Sequence, residues 1–472
     1  MSARRPVPRY TSYPPASCFR DGFDEPELRA AIAASNEDPI PRRLSLYVHV
    51  PFCTSPCFFC ACNRIITRDR SRGDAYVARL DREIDLAARC FDRDREVVQL
   101  HLGGGTPNFL APSAIGDIVD SLRAQFRFSA AADRDQSIEI DPRAASPHDM
   151  AALAGKGFNR VSFGIQDFDP EVQQAIHRVQ DVATCQALVS ACRSGGFRSI
   201  GMDLILGLPK QSTASVARTV DHVLSMRPDR LALYEYAHLP DRFPAQRRIA
   251  RVGLPAPAMA RDMRRLTEDR LLNAGYVAIG FDHFALPGDD LALALGRRDL
   301  HRNFMGYTTH ADCDLIGFGV SAISHIGDCY SQNPRRLVDW EISVDAGRLP
   351  ACRGWRLSAD DRLRADLIRQ LTCEAAVDIR VLECRHDIEF DAYFADELHV
   401  LEGFAARGQL RVTPEQIVVN SRNRDLLRKI ALCFDPYSRK PGRSPTMATS
   451  SVSAPPARSR RPASPKAWTR VT

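Results

Sequence analysis

Short runs of β-branched and aliphatic residues alternate, along the first half of the chain, with segments whose apolar positions recur every three or four residues. The runs predict strands over Leu44–Val50, Val97–Leu102, Ile138–Asp141, Arg160–Gly164, Ile200–Leu206 and Arg230–Tyr234. Several are almost continuously apolar, as strands covered on both faces are. Between them, Asp74 is placed to cap a helix carrying Val77, Leu80, Ile84 and Ala87 on one face and ending near Cys90. Ser212 or Thr213 is placed to cap another, bearing Val216, Val220 and Val223, which must stop before Pro228. Six strand-and-helix units in succession predict an α/β fold with parallel strands and right-handed crossovers, either an open doubly wound sheet or a complete or partial barrel.

The placement of chemically unusual residues favours the partial barrel. A cysteine-rich loop follows the first strand, Gly103-Gly104-Gly105-Thr106-Pro107 follows the second, and Glu139 lies on the third. Gln166 follows the fourth, Asp203 lies within the fifth, and Tyr236-Ala237-His238 follows the sixth. Barrel strands converge at their C-terminal ends, so these features are expected to face one ligand. From about Arg356 the pattern changes to helices with charged faces, Asp360–Leu371 and Phe390–Arg407, followed by a short strand pair near Leu410–Val419. The expected organisation is an N-terminal arm over residues 1–40, the barrel with its extension over 41–350, a small mainly helical C-terminal domain over 351–436, and a disordered tail over 437–472.

Composition narrows the function classes. The formal charge of +6 arises in the tail, which carries eight Lys or Arg and no acid, leaving residues 1–436 at −2. The body therefore has no basic footprint for nucleic acid. No apolar run reaches membrane-spanning length, and the start Met1-Ser2-Ala3-Arg4-Arg5-Pro6 has no apolar export segment, which together predict a cytoplasmic protein. In that compartment the fourteen cysteines are expected to be thiols or metal ligands rather than disulfides. Cys90, Cys185, Cys192 and Cys373 sit in helix-like apolar patterns and are read as packing residues. No coiled-coil heptads are present, and a monomer is expected.

Cys53, Cys57, Cys60 and Cys62 crowd into ten residues. The CxxxCxxC core offers three thiolates to one iron–sulfur cluster and leaves one iron open. Zinc is the less favoured reading, because its sites usually pair two separated CxxC knuckles. Three glycines in a row make a tight turn, and they also let backbone N–H and C=O groups approach a ligand closely. The run lacks the Lys-Ser/Thr of a phosphate loop. Glu139 and Asp203 are read either as acceptors for a ligand or as charges paired with a neighbouring Arg. His49 is either a core histidine or a proton donor near the cluster.

These motifs, with an aromatic before the third cysteine, resemble the radical S-adenosylmethionine superfamily. More narrowly, the chain from about Pro8 to Pro436 resembles the oxygen-independent coproporphyrinogen III oxidase (dehydrogenase) family. The resemblance is carried by Pro8-Arg-Tyr-Thr-Ser-Tyr-Pro, Leu44-Ser-Leu-Tyr-Val-His-Val-Pro-Phe-Cys, Gly157-Phe-Asn-Arg-Val-Ser-Phe-Gly-Ile-Gln-Asp-Phe, Asp203-Leu-Ile-Leu-Gly-Leu-Pro-Lys-Gln, Tyr236-Ala-His-Leu-Pro, Gly306-Tyr-Thr-Thr and Gly319-Val-Ser-Ala-Ile-Ser. It implies a partial (β/α)6 barrel, a [4Fe–4S] cluster on Cys53, Cys57 and Cys60, and Cys62 outside the ligand set. By the same resemblance Tyr47, Gly104, Glu139 and Ile323 contact cluster-bound S-adenosylmethionine. Phe59, Gly105, Thr106, Gln166, Arg178, Asp203 and Ala237 surround a second molecule of it, and Tyr47, His49 and Glu139 serve catalysis. The implied reaction converts two propionates of coproporphyrinogen III to vinyl groups by way of a 5′-deoxyadenosyl radical, fed by an electron donor such as a flavodoxin or ferredoxin. The N-terminal arm would be a lid near the site, and the C-terminal domain would close over the substrate.

Two departures stand out. Met305 replaces a common Gln, and the basic tail replaces most of a terminal helix. Two alternatives remain on sequence alone. A haem-binding chaperone relative usually lacks the Tyr-containing arm and has Phe at the place of Cys62. A non-catalytic iron–sulfur electron carrier would need four ligands and has no use for the glycine run.

Overall fold

A computed structural model of the 472-residue chain describes residues 10–420 and 425–439. Residues 1–9 of the expected arm and 440–472 of the expected tail lie outside the described residues. Six strands pair in sequence order, each parallel to the next: β1 (Arg43–Val50), β2 (Glu96–Gly104), β3 (Asp135–Ile140), β4 (Arg160–Gln166), β5 (Ser199–Leu206) and β6 (Arg230–Glu235). In β1, Leu44, Leu46, Val48 and Val50 alternate along one face and are all fully buried, while Ser45, Tyr47 and His49 take the other face.

The arc does not stop at β1. A seventh parallel strand, β7 (Cys313–Phe318), pairs with the outer side of β1 and continues as antiparallel strands Ile323–Ile326, Cys329–Gln332, Arg353–Arg356 and Arg20–Asp21. On the other edge His283–Ala285 runs antiparallel to β6, followed by Val277–Ile279. The sheet therefore curves as an open barrel with an added flange on each side.

The helix Ser71–Ala88 buries Tyr76, Leu80, Ile84 and Ala87, a stripe at helical spacing. Its expected cap, Asp74, lies inside the first turn instead. Asp69 holds the start, its carboxylate accepting from the Ser71 backbone N–H at 3.0 Å and hydroxyl at 2.6 Å. Asp74 is left to complement the N-terminal dipole. Thr213–Met226 begins as the sequence indicates, with Ser212 and Ser215 forming a reciprocal capping box.

A second apolar cluster unites the C-terminal segment. Ala359–Glu374 packs against helices and a three-stranded sheet, in which Ala376–Asp378 joins the predicted pair Leu410–Val412 and Gln416–Val419. The helix expected over Phe390–Arg407 is two, Phe390–Tyr393 and Ala395–Ala405, because Phe394 leaves helical geometry (φ −107°) to bury its ring against Phe390 and Phe434. The tail boundary also shifts. Pro436–Arg439 is helical, and Tyr437 donates to Asp361 at 2.7 Å and meets the Tyr13 ring edge-on. Tyr10 and Tyr13 belong to this same cluster, so the arm docks on the C-terminal segment.

Candidate active site

The C-terminal ends of the six parallel strands open on one cavity of about 560 Å³. Cys53, Cys57, Cys60 and Cys62 line it from the loop after β1, Gly104 to Pro107 from β2, and Glu139 with Asp141 from β3. Gln166, Asp203 and Ala237 enter from β4, β5 and the segment after β6. Below it lies a lumen of about 150 Å³, which shares Glu139, Ser162, Asp203 and Tyr234 with the cavity. Buried ion pairs close its floor: Arg160 bonds Asp135 and Asp290, and Arg230 bonds Asp289 at 2.8 Å.

The cysteine loop is held by cations. Arg143 and Arg178 each reach the Cys57 sulfur at 3.5 Å, and both bond Asp141, at 2.6 and 3.2 Å. Arg64 wraps the loop from outside, donating to the carbonyls of Cys57, Cys60 and Cys62. The Cys53 sulfur lies 3.2 Å from the Thr106 hydroxyl. Burial pushes the Cys53 thiol up to about 11 despite that contact, whereas the Cys62 thiol and the Arg64 charge hold Cys60 below the ordinary thiol range. Thiolates are the metal-binding form, and neighbouring guanidiniums favour them.

Among the described residues no three His, Cys, Asp or Glu side chains converge on a single metal ion. A four-iron cube takes each cysteine on a different iron, so the test of fit is the donor chemistry. Three clustered thiols facing a cavity, with a hydrogen-bond donor on each of the sulfurs, fit such a cluster.

The glycine run is required by close packing. Gly104 has φ +123°, and a Cβ there would meet the His49 ring at 2.8 Å, while one on Gly105 would meet the Pro51 carbonyl at 2.7 Å. The exposed edge of the run addresses Glu139, whose Oε2 accepts from the Gly104 N–H at 3.2 Å, while His101 Nε2 lies 3.4 Å from its Oε1. Enclosure within the barrel alone would raise the Glu139 carboxyl. His101 and the Gly104 N–H outweigh it and hold the group below its ordinary value. The 47% exposure of the Glu139 side chain is to the cavity, so an ionised acceptor faces the ligand space.

Three comparisons locate this arrangement among known proteins. The radical SAM superfamily model matches residues 47–223. The oxygen-independent coproporphyrinogen III oxidase of Pseudomonas aeruginosa is 47% identical over 430 residues, 91% of this chain and 93% of the relative. That of Escherichia coli is 44% identical over 436 residues, 92% of this chain and 94% of the relative. The solved Escherichia coli coproporphyrinogen III oxidase, described as a radical SAM enzyme, superposes with a TM-score of 0.87 at 44% identity, covering 91% of this chain and 97% of that one.

This chain belongs to the oxygen-independent coproporphyrinogen III oxidase family.

Membership of the family, within the radical SAM superfamily, implies a [4Fe–4S] cluster and S-adenosylmethionine. The structure brings Cys53, Cys57, Cys60, Phe59, Gly104, Gly105, Thr106, Glu139, Gln166, Arg178, Asp203 and Ala237 onto one cavity wall. Tyr47, His49 and Ile323 are placed off that wall. Tyr47 donates to His49 Nδ1 at 3.0 Å and stacks on His101, while His49 Nε2 donates to the Asn63 carbonyl at 3.0 Å. Both imidazole nitrogens are thus engaged, and burial lowers the His49 pKa, so it sits as a neutral post beneath Gly104. Ile323 packs with Phe19 and Tyr330 on the flange.

Arg64, Asp141 and Arg143 are contributors the sequence reading missed. Asp141 ends the third predicted strand, the position where its chemistry was visible. The reach of Arg143 and Arg64 to the cysteine loop is a tertiary fact that spacing does not encode.

Proposed function

We propose that this protein carries out the oxygen-independent oxidative decarboxylation of coproporphyrinogen III to protoporphyrinogen IX. The observation that supports it most directly is a three-thiol loop, a glycine run and an ionised Glu139 opening on one cavity in a chain 47% identical to a curated enzyme of that name. Cys53, Cys57 and Cys60 would hold the cluster, and Cys62, on the same wall, would stay outside the ligand set. What the bound cluster and S-adenosylmethionine supply is a hydrogen-abstracting adenosyl radical. The chain supplies position and shielding.

Glu139 would accept hydrogen bonds from the ammonium of the cluster-side S-adenosylmethionine, with the Gly104 backbone alongside. Tyr47 and His49 act as positioning residues that set the glycine run, and Ile323 contributes from the flange. A second S-adenosylmethionine would lie against the wall made by Phe59, Gly105, Thr106, Gln166, Arg178, Asp203 and Ala237. There Asp203 suits ribose hydroxyls, and Arg178 suits a carboxylate through its planar fork. Each of the two reacting propionates would give one β-hydrogen atom to the adenosyl radical, then release carbon dioxide and pass one electron to a one-electron acceptor to become a vinyl group. The electron donor is a one-electron carrier such as a flavodoxin or ferredoxin, and the protein works as a cytoplasmic monomer. Among the described residues no helix is long and apolar enough to cross a membrane.

The test is anaerobic. Reconstituted protein, reductant, S-adenosylmethionine and coproporphyrinogen III should yield the divinyl product with loss of two carboxyl groups. Cleavage of S-adenosylmethionine with the tetrapyrrole left intact would refute the reading.

A further inference from the structure

A cavity of about 540 Å³ lies away from the cysteine loop, between the arm residues Tyr10–Tyr13, the starts of β1 and β7, and the helix Ala359–Glu374. It shares no lining residue with the cysteine cavity. The hairpin of strands His301–Asn303 and Gly306–Thr308 forms a wall between the two, with His301 to Phe304 lining this vestibule and Met305 to Thr308 lining the barrel lumen, which opens into the cysteine cavity.

Seven arginines and three aspartates line the vestibule. Asp366 is taken by Arg369 at 2.8 Å and Arg385 at 2.5 Å, and Asp299 by Arg297 at 3.2 Å. Arg42, Arg43 and Arg298 have no carboxylate within ion-pair distance among the described residues, and Asp312 is the lining acid without a cation. Buried polar atoms also lack partners. The Tyr13 hydroxyl, on a residue 4% exposed, and His325 Nε2 are unsatisfied. Burial and the neighbouring positive charges hold His301 down to about 3 and His325 down to about 4. Unpartnered buried donors are rare in a completed site, and the three exposed guanidiniums beside neutral imidazoles leave the vestibule with positive charge that its carboxylates do not offset.

We propose that this vestibule binds carboxylates of the tetrapyrrole, with Arg43, Arg298 and the Tyr13 hydroxyl as direct contacts, so that the arm and the C-terminal helix form a porphyrinogen-docking site distinct from the cysteine cavity. The inference rests on the functional reading above. It follows from volume as well as charge. The cysteine cavity must take the cluster's open corner and at least one S-adenosylmethionine, whereas the vestibule is of ligand size and carries the cations that four propionates need. Multivalent inorganic anions share the carboxylate chemistry, and the test separates them.

The probe is coproporphyrin III, the stable oxidised form with the same four propionates, titrated by absorbance into the full reconstituted chain. Binding should weaken at least tenfold in Arg43→Glu and in Arg298→Glu, and about fivefold in Tyr13→Phe. It should also weaken with rising salt, and the tetramethyl ester should bind at least tenfold less tightly than the acid. Cluster absorbance and thermal midpoint should not move in any of the three variants. Arg43 and Arg298 are exposed, and the Tyr13 hydroxyl has no protein partner to lose. Affinity and KM unchanged in all three, or displacement of the probe by citrate or phosphate at equal concentration, would overturn the proposal while leaving turnover intact. Absence of the divinyl product from the unaltered chain would remove the functional reading, and this inference with it.

Discussion

The cysteine cavity and the arginine vestibule are of similar size, and they handle charge in opposite ways. Around the cysteines the cations are already committed. Arg143 and Arg178 share Asp141 and the Cys57 sulfur, and Glu139 is bracketed by His101 and the Gly104 N–H. In the vestibule Arg42, Arg43 and Arg298 have no ion-pair partner among the described residues, and two histidines are held neutral. The first region is pre-organised for a resident cofactor whose chemistry requires fixed geometry. The second gains its missing charge only when a ligand arrives.

The largest effect that could break this contrast is loss of the cofactor. Replacing Cys53, Cys57 or Cys60 with Ala should remove the cluster absorbance and reduce turnover more than about 1,000-fold, whereas Cys62→Ala should keep the absorbance. A cluster that tolerates loss of Cys57 but not of Cys62 would reassign the ligand set. Next in size is Gly104→Ala. With φ +123° and the His49 ring 2.8 Å from the added carbon, it should destabilise the chain by about 1–3 kcal/mol in chemical denaturation, and a neutral result would show that the glycine run is free to move.

Arg143→Ala removes one of two guanidiniums from the Cys57 sulfur and should cost about tenfold in turnover, in keeping with a charge-assisted hydrogen bond. The cluster should also become harder to reduce in a redox titration. An unchanged potential would mean that Arg178 alone sets the field there. The smallest effect concerns pH. His301 and His325 have folded pKa values near 3 and 4, below the unfolded value near 6.5, so the folded state binds fewer protons in that window. Their contribution is present above about 6.5 and is lost as pH falls toward 3 to 4, on the order of 1 kcal/mol for each by pH 6. Comparing thermal midpoints at pH 7 and pH 5, His301→Gln should show a smaller drop than the unaltered chain.

Much of the first region was legible in the sequence, because strand periodicity and strand-end chemistry are local signals. The six strands, the Ser212 cap and the cysteine loop all announce themselves over a few residues. The second region was not, since Arg43, Arg298 and Tyr13 are distant in sequence and meet only when β7 folds back beside β1. That return was hidden because Cys313–Phe318 follows a long extension rather than a helix in the repeating pattern. The cap misassigned to Asp74 has a different cause. Two acids five residues apart compete for the same N-terminus, and backbone geometry chose Asp69.

The central claim is a cluster held by three thiolates with one iron open to S-adenosylmethionine. It is tested most directly by electron paramagnetic resonance of the reduced, anaerobically reconstituted Cys62→Ala protein, with and without S-adenosylmethionine. The account predicts a four-iron signal that changes shape when S-adenosylmethionine is added. A signal absent from this variant, or one indifferent to S-adenosylmethionine, would contradict it.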